Sequence, residues 1–457
     1  MTVNRTASDT GGPPLAATLQ LAAAAWQNLR TGSALQRSLE VAAAAPSEAR
    51  HPRALAAAQD IVYTATRHLA LLDALIAQLA TRAPVPPVAA LLAVALSQLL
   101  DRRHAPYTVV DQAVAAARAD RRTAAAAGFI NAVLRTFLRR EAELLAHARR
   151  DETVQFNAPR WWIERLQRDH PARWREVLQS QVEEPPLVLR VNVRRTAPVA
   201  YLQRLRDEGL EAMRVGLDAV WLKQPRPVES IPGFAQGDVS VQDAGSQLAA
   251  RWLDVRAGQR VLDACAAPGG KTCHIAEIAD AAIDAVEIDA GRAARIEANL
   301  ARLALRDARR VRVLVGDAAV AASWPAHPPY DRILVDAPCT ASGIVRRHPD
   351  IPWLRRPPDV AQLATIQAQL LDALWPLLAP TGRLLYIVCS LFSEEAGEQA
   401  ARFLERRADA RIVALAGQRT GSLQLLPTPL AQVEPWSEEA STPSLHDGFF
   451  YALFEKR

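Results

Sequence analysis

The 457-residue chain has only four cysteines, Cys265, Cys273, Cys339 and Cys389, and none of them stands in a CxxC pair. That scarcity excludes a disulfide framework and the usual zinc spacings, and leaves catalysis or packing for each thiol. Lysine is nearly missing. Lys223, Lys271 and Lys456 are the whole set, so arginine carries almost all the positive charge of a chain with net charge +5 and a pI near 9.3. Long apolar runs are missing too: the best, Val88 to Leu100, contains Ser97 and Gln98 and falls short of the roughly 20 residues a membrane span needs. The opening residues have no compact apolar stretch behind basic ones, so no secretion signal is expected. These absences together predict a soluble cytoplasmic protein with no metal site and no membrane partner. Its length suggests three domains, at roughly 150 residues each.

Residues 15 to about 150 are rich in Ala and Leu, with Ile61, Leu69, Leu72 and Ile76 at helical spacing and almost no β-branched runs. An all-helical domain over 1–150 is expected, with breaks at Pro46, at 83–88 and around "RRHAPYT". The character then changes. Trp161, Trp162, Trp174 and Trp221 cluster there, "EEPP" makes a linker, "LVLRVNV" alternates like a strand, and "VAYLQRLRDEGL" reads as a helix closed by Gly209. This predicts a small α+β unit over 151–235. Over 236–457 strands and helices alternate through short loops, the α/β pattern of a parallel sheet covered on both faces. Its strands are "RVLDACA", "AIDAVEID", "VRVLVGD", "YDRILVDAP" and "GRLLYIVCS". Before the last of them, Leu363, Ile366, Leu370, Leu374 and Leu377 mark the expected apolar face of a helix.

Strand ends carry the chemistry. "DACAAPGGKT" is a strand-turn-helix whose glycines, Gly269 and Gly270, are adjacent; it is neither GxGxxG nor GxxxxGK[ST], which weakens a nicotinamide or nucleotide-hydrolysing reading. Glu287 ends the second strand, where a carboxylate can accept both ribose hydroxyls, and Asp317 ends the third, where it can receive an adenine amino group. Either acid alone is an ordinary loop residue. In order at successive strand ends, they favour an adenosine-containing ligand. Asp336 and Cys339 end the fourth strand and Cys389 the fifth, so a carboxylate and two thiols converge on one cleft. Cys265 and Cys273 read as packing thiols. Arginine recurs in clusters, at 139–140, 149–150, 190 with 194–195, 309–310 with 312, 346–347 and 355–356, consistent with a polyanionic partner or with solvated faces.

The series "QDAGSQL", "DACAAPGGKT", "DAPCTASG", "RRHPD" and "YIVCS" resembles the RNA 5-methylcytosine methyltransferases of the Nop2/Sun group. The likeness covers nearly the whole chain. "GFINAVLR" at 128–135 is similar to the NusB-like RNA-binding domain of the members that act on bacterial 16S rRNA, and "DGFFYALFEK" matches their last strands. The resemblance implies a Rossmann-like methyltransferase domain behind a NusB-like helical domain and a small α+β RNA-binding domain. It implies S-adenosyl-L-methionine as cofactor, lying along Cys265, Ala266, Ala267, Pro268, Gly269, Gly270, Lys271, Glu287, Asp317 and Asp336, with Glu287 in place of the more usual Asp.

Carbon 5 of cytosine is a poor nucleophile until a thiolate adds to C6 and N3 takes a proton. On the family's pattern Cys389 attacks, Asp336 holds the N3 proton and Cys339 assists product release. Strand position alone points to Cys339 as the attacking thiol; only the second thiol opens the other assignment. Lys271 would hold Asp336 or a phosphate. The target base must be single-stranded or flipped, with Arg346, Arg347, His348, Arg190 and Asn192 as candidate RNA contacts. A monomer acting on 16S rRNA is expected. The alternatives are a tRNA cytosine-5 methyltransferase and a catalytically idle RNA-binding assembly factor.

Overall fold

Proline opens helices here rather than breaking them, since the first helical position needs no N–H. Pro52, Pro86, Pro106, Pro198 and Pro357 each begin one. The computed structural model describes residues 15–44, 52–307, 309–326 and 328–457. The break expected at Pro46 and the first 14 residues read for a secretion signal lie outside the described residues. Two compact units result. One runs to Ile163 and takes in His348–Leu354; the other holds Glu164–Arg347 and Arg355–Arg457.

The smaller unit is helical: α1 (Leu15–Arg30), α2 (Leu35–Ala44), α3 (Pro52–Thr66), α4 (Leu69–Leu79), α5 (Pro86–Asp101), α6 (Pro106–Ala119), α7 (Ala127–Ala148) and α8 (Glu152–Phe156). Its core includes Leu72, Leu75, Leu134 and Phe137, all fully buried. The apolar run Val88 to Leu100 is α5, buried on nearly every side by its neighbours, which is why it is apolar all round. Among the described residues no helix is long and apolar enough to cross a membrane. Two polar ties fix the packing: Asp350 accepts the Leu35 N–H at 2.8 Å, and Asn157 accepts from Ala70 N–H at 3.0 Å while donating to the Thr66 carbonyl at 2.9 Å.

The chain passes through α9 (Arg160–Asp169) and α10 (Trp174–Val182) into β1 (Leu187–Val191), α11 (Pro198–Asp207), β2 (Ala212–Arg214), β3 (Ala219–Leu222) and β4 (Val239–Val241). These strands form an antiparallel sheet in the order β2-β3-β1-β4. After α12 (Ala244–Trp252) come β5 (Arg260–Ala264), α13 (Gly270–Ile278), β6 (Ala282–Glu287), α14 (Ala290–Arg302), β7 (Val311–Val315), β8 (Tyr330–Asp336), α15 (Ile351–Leu354, in the smaller unit), α16 (Pro357–Leu374), β9 (Leu378–Val388), α17 (Gly397–Arg406), β10 (Ala410–Ile412), β11 (Ser422–Leu425) and β12 (Phe449–Lys456). The large sheet runs β10-β12-β9-β8-β5-β6-β7, parallel from β7 to β9 and antiparallel at β12, with β11 also on β12.

Both sheets belong to the larger unit. Long side chains stitch them together. Arg190 of β1 reaches Glu277 on α13, Arg251 of α12 reaches Asp218, and Arg302 of α14 donates to the carbonyls of Phe234 and Val239 and to Ser240. The helix face expected on α16 is also rotated. Its buried side is Val360, Ala364, Gln367, Leu370, Leu371 and Leu374, while Ile366 is 42% exposed and lines a cavity instead.

Candidate active site

β5 lies mid-sheet, hydrogen-bonded to β6 on one side and β8 on the other. The chain winds one way after β5 and the other way from β8, and open α/β sheets bind ligands beyond the strand ends at such a reversal. A cavity of about 530 Å³ sits there. Cys265 and Ala267 follow β5, Glu287 ends β6, Asp317 follows β7, Asp336, Pro338 and Cys339 come at and after β8, and Cys389 follows β9; Arg292, Ile366 and Gln369 help to wall it.

The loop after β5 is shaped by backbone. Cys265 has φ +62° and Gly269 φ +93°, the second a conformation that favours glycine. A Cβ on Gly269 would also meet Ile296 at 3.0 Å. Of the expected loop residues only Cys265 and Ala267 line the cavity. Ala266 and Gly269 serve the turn, through Ala266 N–H to Val286 O and Gly269 N–H to Ala266 O. Glu287 accepts from the N–H groups of Ala267 and Asp289 at 3.3 and 3.2 Å, and Asp317 accepts from Ala319 N–H at 2.9 Å. Acceptors at one end and thiols at the other suit a ligand with a diol and an amino-bearing ring.

At the thiol end, Cys339 Sγ and Cys389 Sγ are 3.4 Å apart. Cys339 is buried and Cys389 less so. The hydrogen bond with Cys389 and then burial push the Cys339 thiol well above its usual range, with the charges of Cys389 and Glu395 adding to the effect. Lys271 donates to Asp336 at 2.5 Å. Burial alone would lower its affinity for a proton, but the Asp336 carboxylate outweighs that and Cys389 adds to it, so the ammonium is held charged beside the thiol. Of the two roles expected for Lys271, the structure places it on Asp336. Burial pushes the Cys265 thiol up to about 12, which disfavours its thiolate, and Cys273 is packed in the core.

Three further residues were given no role in the site from the sequence. Asp263 is fully buried; Thr272 Oγ1 donates to it at 2.5 Å, its other oxygen has no protein partner, and burial pushes its carboxyl up to about 7. Arg355 donates to the carbonyls of Cys339 and Thr340. Glu395 lies behind both thiol loops. Asp263 opens the motif "DACAAPGGKT" and Arg355 belongs to the arginine pair at 355–356, whereas Glu395 has only its nearness to Cys389 as a signal.

Four of the five proposed RNA contacts turn inward, which corrects that expectation. Arg346 is 1% exposed; its guanidinium binds Asp447 and the carbonyls of Thr428 and His446. Arg347 binds Asp447, Asp243 and the Pro186 carbonyl. Arg190 holds Glu277 through two bonds of 3.0 and 2.7 Å and also reaches Gln242 and the Gly270 carbonyl. Asn192 is buried, donates to Gly237 O and accepts from Arg194 N–H. Carboxylates and carbonyls within the unit hold these side chains, and only Arg347, with 24% of its side chain exposed, reaches the surface. His348 is exposed, in the smaller unit.

Three family models match this chain: "16S rRNA methyltransferase RsmB/F" over residues 250–455, the ferredoxin-like domain of RsmF/B-like methyltransferases over 158–229, and the NusB family over 16–139. The chain is similar to Ribosomal RNA small subunit methyltransferase B of Klebsiella pneumoniae, at 40% identity over 87% of this chain and 89% of that protein. Among solved structures it is similar to PH0851, with TM-score 0.73 and 24% identity over 96% of this chain and 99% of that one. It is also similar to a methyltransferase homologue from Pyrococcus horikoshii, with TM-score 0.55 and 26% identity over 67% of this chain and 97% of that one.

Proposed function

Because the chain belongs to the RsmB/F family of 16S rRNA methyltransferases, we propose that it methylates carbon 5 of a cytosine in 16S rRNA through a covalent cysteine adduct. S-adenosyl-L-methionine, bound along the cavity with Glu287 and Asp317 toward its ribose and adenine, would supply the electrophilic methyl group. The observation that carries the proposal is the thiol pair at 3.4 Å beside the Lys271–Asp336 ion pair.

Cys389 is the attacking thiol. It is the more accessible of the two and shares the cavity with Asp336, whose partner Lys271 brings a positive charge to the site. A thiol of ordinary pKa, about 8.5, needs such help to react near neutrality. As the sulfur–C6 bond forms, the electron pair of the C5–C6 double bond moves toward C5, and N3 takes a proton that the Lys271 ammonium passes through Asp336. Methylation at C5 follows. Loss of the C5 proton to solvent water then restores the double bond and breaks the sulfur–C6 bond; N3 returns its proton through Asp336 to Lys271, and Cys389 leaves as a thiolate, assisted by a hydrogen bond from the Cys339 S–H. The exposed arginines Arg139, Arg149 and Arg150 of the NusB-like unit supply positive charge for an RNA backbone.

The test separates the two thiols. Cys389→Ala should abolish methyl transfer, and Cys339→Ala should accumulate a protein–RNA adduct that survives a denaturing gel. If Cys389→Ala traps the adduct while Cys339→Ala merely prevents attack, the roles are reversed. Bisulfite mapping of a deletion strain that keeps every rRNA mark and loses one in tRNA would overturn the substrate assignment.

A further inference from the structure

We infer that Glu395 is the positioning residue of the thiol pair, its buried carboxylate tying the loop after Cys339 to the loop after Cys389 and so setting their sulfurs 3.4 Å apart. The inference deepens the proposed function and rests on it for what the sulfurs do. Four donors converge on the carboxylate. Thr340 N–H at 2.9 Å and Gln367 Nε2 at 3.0 Å reach one oxygen; Thr340 Oγ1 at 2.5 Å and Ser390 Oγ at 2.6 Å reach the other. Thr340 directly follows Cys339, and Ser390 directly follows Cys389. One anion therefore grips the residue next to each thiol.

The grip is itself braced. Gln367 also donates to the carbonyl of Pro338 at 3.0 Å, and Tyr386 Oη lies 3.0 Å from Gln367 Oε1 and 2.7 Å from the Glu395 carbonyl. Among the described residues no arginine or lysine forms an ion pair with Glu395, so it is held by neutral donors alone. A buried charge without a counterion is costly to keep. A neutral residue would fill the same space at lower cost. What it could not do is accept three bonds from the two loops and a fourth from Gln367 of α16 at once, and two reacting thiols need that common frame because small displacements are expensive in catalysis.

The measurement is a direct one of sulfur spacing, made on the full chain. Phenylarsine oxide condenses with two neighbouring thiols, forming two As–S bonds and releasing one water; Cys339→Ala and Cys389→Ala controls assign the bridged pair. Glu395→Ala should weaken that bridging about ten-fold or more and lower kcat by up to about a hundred-fold, with KM for S-adenosyl-L-methionine unchanged. Glu395→Gln should restore both, since its amide oxygen can take the two N–H donors while its NH₂ group donates to the two hydroxyls, which are free to rotate. Should Glu395→Ala fail to fold, Thr340→Val with Ser390→Ala cuts the hydroxyl arms and should reproduce both losses. Wild-type bridging affinity in Glu395→Ala, or in that double variant, overturns the inference whatever the activity. Tight bridging in the wild type and weak bridging in Glu395→Ala, with neither chain methylating rRNA, upholds the role of Glu395 and refutes the proposed function instead.

Discussion

Replacing Arg190 by Ala should cost stability rather than RNA affinity, and its size follows from what the guanidinium leaves behind. Glu277 loses both of its short bonds to Arg190 and stays buried. Its cheapest relief is to take a proton. From an ordinary value of 4.5, that costs about 3 kcal/mol at pH 7, at about 1.4 kcal/mol per pH unit. The bonds to Gln242 and Gly270 O are lost as well, at about 1 kcal/mol each. A total of about 3–5 kcal/mol matches what removing one partner of a buried pair usually does.

The proton route also gives a pH signature. The variant's Glu277 binds its proton above 4.5 while the unfolded chain does not, so the deficit grows as pH rises. At pH 5 it should be smaller by about 2–3 kcal/mol. Urea midpoints of the larger unit at the two pH values measure this. Arg190→Met with Glu277→Leu, which removes both charges, should recover most of the loss. The reasoning is refuted if Arg190→Ala keeps the wild-type midpoint and instead lowers the salt dependence of RNA binding by about one phosphate contact.

Gly343→Ala should damage the site through its backbone. A Cβ there collides with the main chain of Gly448, and the Gly343 N–H donates to the Cys389 carbonyl at 2.9 Å. A loss of about 1–3 kcal/mol and a fall in initial methylation rate are expected; an unchanged rate would show that this contact does not hold the thiol. Asp263→Asn tests a buried acid held near 7 against an ordinary 3.8. A carboxyl raised in this way weakens the fold as pH climbs between those values, because only the unfolded chain ionises. The Asn variant should gain on the wild type over that window and no further above it. Parallel denaturation curves across pH would contradict the assignment.

The parallel strands were legible because each apolar run ends in an acid or a thiol, and those ends meet at one crevice. The thiol pair was legible for the same reason: Cys339 and Cys389 close adjacent strands. The surface roles given to arginine were not. Nothing local distinguishes Arg190 in "LVLRVNV" from an outward-facing strand residue, because its partner Glu277 lies a domain's length further along. Arg346 and Arg347 look like a basic patch until Asp447, near the last strand, is folded against them. Leucines around much of α16 blurred its periodicity, hiding that Gln367 faces inward and Ile366 toward the cavity. Glu395 sits in a "SEE" triplet that reads as solvated surface, and only the return of both loops buries it.

The position of β12 between β9 and β10 bears on how the enzyme comes into being on the ribosome. β9 leads directly into Cys389, yet the strand that covers its outer side is translated only after residues 389–448. Until then β9 presents a row of unsatisfied N–H and C=O groups, open to pairing with another chain. Cys389 therefore emerges on an unfinished edge, and a chain arrested before Phe449 would carry both thiols without the sheet that steadies them.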